Sequence, residues 1–232
     1  RLSHSRRPTG DVGPSKGGSM GEKENCAVTI SRQMGSGGAY VGYLVSRELG
    51  FRYVDREVLS RAANLLGATE DWAALYDERS TGIVENILQA VAFGTPEAMS
   101  LTPPKPPVYD RELFTLECRI MNDIVDRSSA VIVGRAGFYA LRNRPGVVRV
   151  FVHAPRPFRI RRIMEVKNLS SLEEAGSLVD ESDRNRAGFI RDMTGYLWSD
   201  ARNFHLSIDS SAVGFQEAAE MVAALARKMG PS

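Results

Sequence analysis

The chain has 232 residues, of which 43% are hydrophobic, and its formal net charge is +2. This length can bury one sizeable core, and nearly balanced charge gives no argument for a nucleic-acid or membrane partner. The two cysteines, Cys26 and Cys118, fit reduced thiols better than a disulfide scaffold and have no zinc-binding spacing. No apolar run could cross a bilayer and the first residues lack a signal-peptide pattern, so we expect a cytoplasmic protein.

Composition divides the chain into a tail and one folded domain. Residues 1–24 are rich in Gly, Ser, Pro and charge, which predicts a disordered tail or a remnant added for expression. We assign residues 25–232 to a single domain. Within it, the prolines of residues 95–107 predict an exposed loop between two helical stretches.

Short apolar runs alternate with helical patterns along this domain. Strands are predicted at residues 26–30, 51–54, 130–133, 147–153 and 204–208. Helices are predicted at residues 56–66, 70–92, 111–127 and 214–228, with a long charged helical region at 156–195. The alternation predicts an α/β three-layer sandwich with a mostly parallel five-stranded sheet. In such a sheet, ligands bind beyond the carboxyl ends of the strands.

A glycine-rich turn follows the first predicted strand, in the run Gly35-Ser36-Gly37-Gly38-Ala39-Tyr40. Consecutive glycines let several backbone N–H groups point inward, and the helix behind them adds the positive end of its dipole. The pattern therefore predicts a cradle for phosphates, although a glycine turn without a ligand also fits it. Gly38 stands where the P-loop pattern GxxxxGK[ST] has its lysine, and Tyr40 stands near the place of the magnesium-binding hydroxyl.

Three segments together carry a family resemblance: VTIS at 28–31, GSGG at 35–38 and LGFRYVD at 49–55. They resemble the opening of the cytidylate kinase-like family, and the likeness runs from about residue 26 to residue 229. The loop is similar to a divergent branch that reads SRQ-x-GSGG and lacks the lysine. The resemblance implies a P-loop kinase-like fold, a helical lid at about residues 156–190, and ATP with Mg²⁺ as ligands.

The resemblance also implies an acceptor site. Asp55 and Arg61 match the D-S-G-x-x-Y-R motif that holds the acceptor nucleotide in typical members, with Arg56 in place of the serine. Arg135 matches the arginine of the family's GRDxG turn. Ala136 stands where typical members have the aspartate that helps to read cytosine, so a preference for CMP does not carry over. From the residues alone, Arg61 also fits an ordinary exposed helix position.

Arginines are dense after the fourth predicted strand. Arg159 and Arg162 share a helix face, as do Asp183 and Arg186, so each pair can converge on one ligand. By resemblance the first pair belongs to the lid helix of nucleoside monophosphate kinases and the second to a DRNR motif, and we assign all four to catalysis. Such cations neutralise charge on a transferred phosphoryl group. A solvated charged face is the alternative, and interleaved acids argue against a nucleic-acid groove.

Two function classes remain open from the sequence. The first is an ATP-dependent phosphotransferase that acts on a nucleoside monophosphate, cytidylate-like, or on another small acceptor. The second is a nucleotide-binding regulatory module with the kinase fold but little activity. The lid arginines and Asp183 favour the enzyme, whereas Gly38 and Tyr40 favour the module. Arg32 or a lid arginine could supply the missing positive charge, and the sequence does not indicate an oligomeric state.

Overall fold

A sheet of five parallel strands organises the part of the chain that the computed structural model describes, residues 25–57, 59 and 111–230. Its order is β2-β3-β1-β4-β5, and each neighbouring pair runs parallel. The predicted five-stranded parallel sheet is therefore confirmed. The strands are β1 (Ala27–Arg32), β2 (Arg52–Val54), β3 (Ala130–Val133), β4 (Val147–His153) and β5 (Leu206–Asp209).

Helices connect the strands and cover both faces of the sheet. They are α1 (Gly38–Leu49), α2 (Arg111–Arg127), α3 (Gly137–Ala140), α4 (Arg156–Lys167), α5 (Leu172–Thr194), α6 (Ser210–Val213) and α7 (Phe215–Met229), with a short 3₁₀ helix at Ala201–Asn203. None of the described helices is long and apolar enough to cross a lipid bilayer.

The core consists of two apolar layers on opposite faces of the sheet. On one face Val28 packs with the buried residues of α1 and α7, such as Val45 and Val222. On the other face Ala27 packs with the buried side of α2, which includes Ile120. Successive residues of a strand point to opposite faces, and both faces are covered, so β1 is buried almost throughout. This is the predicted three-layer sandwich.

Two helices replace the single charged helical region predicted at residues 156–195. Asn168 ends α4 in the left-handed conformation, with φ of 52°, which a short polar side chain tolerates better than most. The Ser171 side chain then accepts a hydrogen bond from the Glu174 N–H and caps α5. The two helices pack together through Ile163 and Val179, which are both fully buried.

Several predictions fall outside the described residues. They are the tail at 1–24, the helix at 70–92, the loop at 95–107 and the side chain of Arg61. Of the helix predicted at 56–66, the structure describes residues 56, 57 and 59, and all three are helical.

Candidate functional site

The glycine-rich turn forms a compact loop between β1 and α1. Gly35 and Gly37 have φ of 80° and 73°, values that glycine adopts without the strain that a Cβ would bring. Ser36 is fully buried, and its single hydroxyl hydrogen is shared between the Gln33 carbonyl, at 2.9 Å from Oγ, and the Val152 carbonyl, at 3.1 Å. The Ser36 side chain therefore holds the loop against β4, where it has no direct path to a ligand.

Backbone N–H groups of this loop are available to an anion. Among the described residues, the N–H groups of Gly35, Gly37 and Gly38 donate to no protein group. Gly38 also begins α1, so its amide belongs to the helix end that lacks intrahelical partners and carries the positive end of the dipole. This geometry suits a phosphate group.

A cleft that is open to solvent lies over the loop. Its lining includes five of the six residues predicted to bind the cofactor, Gly35, Gly37, Gly38, Ala39 and Tyr40, but not Ser36. Three arginines from separate elements also line the cleft. They are Arg32 at the end of β1, Arg162 on α4 and Arg186 on α5.

Asp183 joins the loop to both lid helices. One carboxylate oxygen accepts the Met34 N–H at 2.8 Å, and the other is 2.6 Å from Nη1 of Arg159. Arg159 is 6% exposed and also donates to the carbonyls of Ala154, at 2.9 Å, and Met34, at 3.1 Å. The donors of Arg159 are thus directed at the protein, so the geometry favours a positioning role over direct contact with a ligand.

Arg186 lies one helical turn after Asp183, whose carboxylate is 3.6 Å away. Nη1 of Arg186 donates to the Arg32 carbonyl at 3.1 Å, which brings α5 against the end of β1. Burial, together with the nearby charge of Arg32, lowers the pKa of Arg186 to about 9. Arg186 therefore keeps its positive charge at neutral pH. Its side chain lines the cleft over the loop.

An aromatic cluster borders the other side of the loop. The Phe215 ring makes edge contacts with Tyr40, at 5.9 Å between centroids, and with Phe158, at 6.5 Å. The Arg162 guanidinium lies 4.9 Å from the Phe215 centroid, a cation–π distance. A Cβ on Gly37 would overlap this ring, so glycine is needed at that position for packing as well as for φ. The cluster links the start of α7 to the loop and to α4.

The predicted acceptor residues lie at the carboxyl ends of β2 and β3. Asp55 follows β2, is 8% exposed and accepts the Glu57 N–H at 2.9 Å. Arg135 follows β3 and donates through Nε to a carboxylate oxygen of Glu117 at 2.7 Å, with a second bond from Nη2. Burial raises the pKa of Glu117, and the charge of Arg135 partly offsets that increase.

The backbone at this acceptor side is strained. Arg135 and Ala136 have φ of 47° and 55°, a region that costs about 1–3 kcal/mol for residues other than glycine. The pair with Glu117, and the Phe189 ring 4.4 Å from the Arg135 guanidinium, hold this conformation. Glu117 was missed from the sequence. Its signal was an acidic residue on the apolar face of α2, between the buried Phe114 and the buried Ile120.

Together, the fold and the loop define the class of protein. A glycine-rich loop between the first strand and the first helix, in a cleft that is also lined by arginines of α4 and α5, is the arrangement of a P-loop kinase-like fold. The model of the cytidylate kinase-like family matches residues 27–212. The chain belongs to this family.

Solved structures resemble the chain at low sequence identity, and the one with a TM-score above 0.5 shows the same fold. An uncharacterized protein from Eubacterium ventriosum has a TM-score of 0.65 and 16% identity, over 88% of this chain and 99% of that one. A gluconokinase from Sinorhizobium meliloti has a TM-score of 0.49 and 16% identity, over 89% and 97% of the two chains. A shikimate kinase from Acinetobacter baumannii has a TM-score of 0.46 and 14% identity, over 89% of this chain and 95% of that one. These likenesses concern the fold and not the substrate. No curated protein matches the chain in sequence.

Proposed function

We propose that this protein transfers the γ-phosphoryl group of ATP to a small acceptor, and that nucleoside monophosphates are the first acceptors to test. The observation that carries the proposal is the cleft over the loop, which is lined by Arg162, Arg186 and loop glycines whose amides have no partner among the described residues. Phosphoryl transfer depends on positioning and on neutralising charge over the phosphate oxygens, and this cleft offers donors for both. Membership of a kinase-like family supports the same reaction class.

In this proposal the phosphates of ATP lie in the loop and accept hydrogen bonds from its backbone N–H groups. Mg²⁺ would enter with the phosphates, because this ion is commonly held by phosphate oxygens, waters and one or two carboxylates. Arg162 and Arg186 would contact the transferred phosphoryl group directly. Asp183 and Arg159 would act as positioning residues, because they hold the loop and the lid helices together.

The acceptor would bind beyond β2 and β3. Burial lowers the pKa of Arg56 and the nearby charge of Arg135 lowers it further, so these two arginines lie close together, and the Asp55 carboxylate follows the same edge of the sheet. Arg56 favours an acceptor that carries negative charge, because Glu117 already balances the charge of Arg135. Ala136 is 2% exposed and has no polar side-chain atom, so it supplies no contact that reads cytosine. We therefore propose an anionic acceptor without a fixed preference for CMP.

A regulatory nucleotide-binding module is the second candidate, and one specific observation favours it. Gly38 occupies the position of the P-loop lysine, whose contact with the β- and γ-phosphates supports catalysis in P-loop enzymes. A module of this kind would bind ATP in the same cleft but would release no ADP in the presence of an acceptor.

The decisive experiment is a screen for acceptor-dependent ADP formation. The full chain is incubated with Mg²⁺ and ATP against nucleoside monophosphates, nucleosides and unrelated small acceptors, and the phosphorylated product is identified by mass spectrometry. ADP that forms only with one acceptor class supports the kinase. Tight ATP binding with no product from any acceptor would favour the regulatory module, and absence of ATP binding would contradict both.

A further inference from the structure

The position of the missing lysine is filled by another side chain. A Cβ built on Gly38 would overlap the Cβ of Arg32 and would lie 3.1 Å from both Arg32 Cγ and Val152 Cβ. Real Cβ atoms do not approach this closely, so any side chain at residue 38 would compete with Arg32 for one space. The Cβ of Arg32 thus occupies the space that the Cβ of a lysine at residue 38 would need.

The far end of Arg32 is accommodated by a second glycine. A Cβ on Gly134 would overlap Nη1 of Arg32 and would lie 3.0 Å from its Cζ. Gly134 has φ of 87° and is the first residue after β3, so the Arg32 guanidinium spans from the loop toward the carboxyl end of that strand. The overlap at Gly38 involves the Cβ of Arg32, so packing fixes the start of this side chain, and its far end lies beside Gly134.

Arg32 also has unused hydrogen-bonding capacity. Its Nε is buried and has no partner within the described ranges 25–57, 59 and 111–230. Burial lowers the pKa of Arg32, while the nearby Tyr53 and Asp55 raise it and so partly offset the effect of burial. A buried donor of this kind is costly unless a ligand or water meets it, and Arg32 lines the cleft over the loop.

We propose that Arg32 replaces the P-loop lysine and contacts the phosphates of bound ATP. This inference rests on the proposed function, since it names the cation that would bind the ATP phosphates in a loop without a lysine. A guanidinium offers a planar set of donors that can bind two phosphate oxygens at once, whereas an ammonium acts as a point charge. Arg32 is then a catalytic residue in the phosphate site, and glycine at residue 38 is a requirement of its presence.

Binding of Mg²⁺-ATP, measured by isothermal titration calorimetry on the full chain, tests this role without depending on turnover. Arg32→Met should weaken ATP binding about tenfold or more, as for loss of a charge-assisted contact. Arg32→Lys should have an affinity between those of the native protein and Arg32→Met, because an ammonium keeps the charge but not the two-point contact, and it serves as the second variant if Arg32→Met folds poorly by circular dichroism. Arg47→Met is the matched control, since Arg47 is an exposed arginine in the last turn of α1.

A swap variant tests the steric argument directly. Gly38→Lys alone should bind ATP poorly, because the lysine must overlap Arg32. Combining it with Arg32→Gly moves the charge to the usual P-loop position and should restore affinity to within a few-fold of the native protein. A swap variant that binds no better than Arg32→Met would overturn the idea that the two positions are interchangeable.

The remaining outcomes separate this inference from the proposed function. If the native protein and Arg32→Met bind ATP equally well, Arg32 does not contact the phosphates, and the proposed phosphotransfer is untouched. If Arg32→Met weakens only the binding of an acceptor, the inference also fails, because the charge would then belong to the acceptor side. If the native protein binds no ATP, the proposed function and this inference both fail.

Discussion

Replacing Asp183 tests whether one carboxylate holds the phosphate loop against the lid helices. Asp183→Ala removes the acceptor for the Met34 N–H and leaves Arg159 and Arg186 without their carboxylate partner. The side chains of Arg159 and Asp183 are 7% and 17% exposed, so this pair is largely shielded from water. Removal of one partner from a buried ion pair costs about 3–5 kcal/mol, and we take the lower end because water reaches the carboxylate.

A loss of about 3 kcal/mol should lower the unfolding midpoint by about 6–12 °C, since a chain of this size shifts by about 2–4 °C per kcal/mol. Asp183→Asn should fall between the native protein and Asp183→Ala, because its amide oxygen can still accept the Met34 N–H. Differential scanning calorimetry, or circular dichroism during heating, measures the midpoint.

The chain supplies a matched control three residues earlier on both helices. Asp180 accepts from two nitrogens of Arg156, at 3.0 Å and 2.7 Å, so it also bridges α5 to α4. These side chains are 38% and 53% exposed, and surface pairs contribute little because water and salt screen them. Asp180→Ala should therefore leave the midpoint nearly unchanged. Equal losses for Asp180→Ala and Asp183→Ala would refute the reasoning from burial.

Three further predictions follow from the site and the sheet. Arg186→Ala should reduce phosphotransfer by about 10- to 100-fold in a coupled ADP assay, through loss of a charge-assisted phosphate contact, whereas Arg191→Ala, at a 69% exposed side chain, should have little effect. Residues 156–186 should gain hydrogen-exchange protection on saturation with ATP, and equal exchange with and without nucleotide would contradict lid closure. Burial, and then the charge of Arg149, lowers the pKa of His205 from its ordinary value of 6.5. Neutral His205 therefore stabilises the fold above pH 6.5, and this contribution is lost as the pH falls. Urea unfolding at about pH 7.5 and about pH 5 should show a smaller loss on acidification for His205→Asn than for the native protein.

The elements that were predicted accurately are those with the strongest local patterns. β3 and α2 have the predicted bounds, because an unbroken apolar run and a clear amphipathic period each leave little choice. β5 begins at Leu206 and not at residue 204, since Phe204 packs into an aromatic cluster with Phe138 and Phe151. Aromatic character alone does not separate a strand residue from one that packs beside the strand.

The break in the lid was predictable and was missed. Ser171 and Glu174 have the spacing of a helix N-cap, and the structure uses this serine to begin α5. The charged residues on both sides conceal the interruption, because the polar pattern continues across it.

Within the site, only contacts among residues of one local motif could be predicted from the sequence. The glycine-rich turn and the four lid residues were visible as local spacing, and the structure gathers them around one loop. The pairing of Arg135 with Glu117 joins residues 18 positions apart on different elements, and no local pattern specifies it. The overlap between Arg32 and a side chain at residue 38 likewise depends on the folded loop and cannot be read from its amino-acid sequence.

The order of the strands separates two sets of site residues. β1 is the middle strand, with β3 and β2 on one side and β4 and β5 on the other. The parts that hold the loop come from β4 and the helices after it, whereas Asp55, Arg56 and Arg135 follow β2 and β3. Under the proposed function, mutations that alter acceptor choice would accumulate on the half with β2 and β3, while the half proposed to bind ATP stays constant. This division would let related chains diverge in substrate and keep a single phosphate donor.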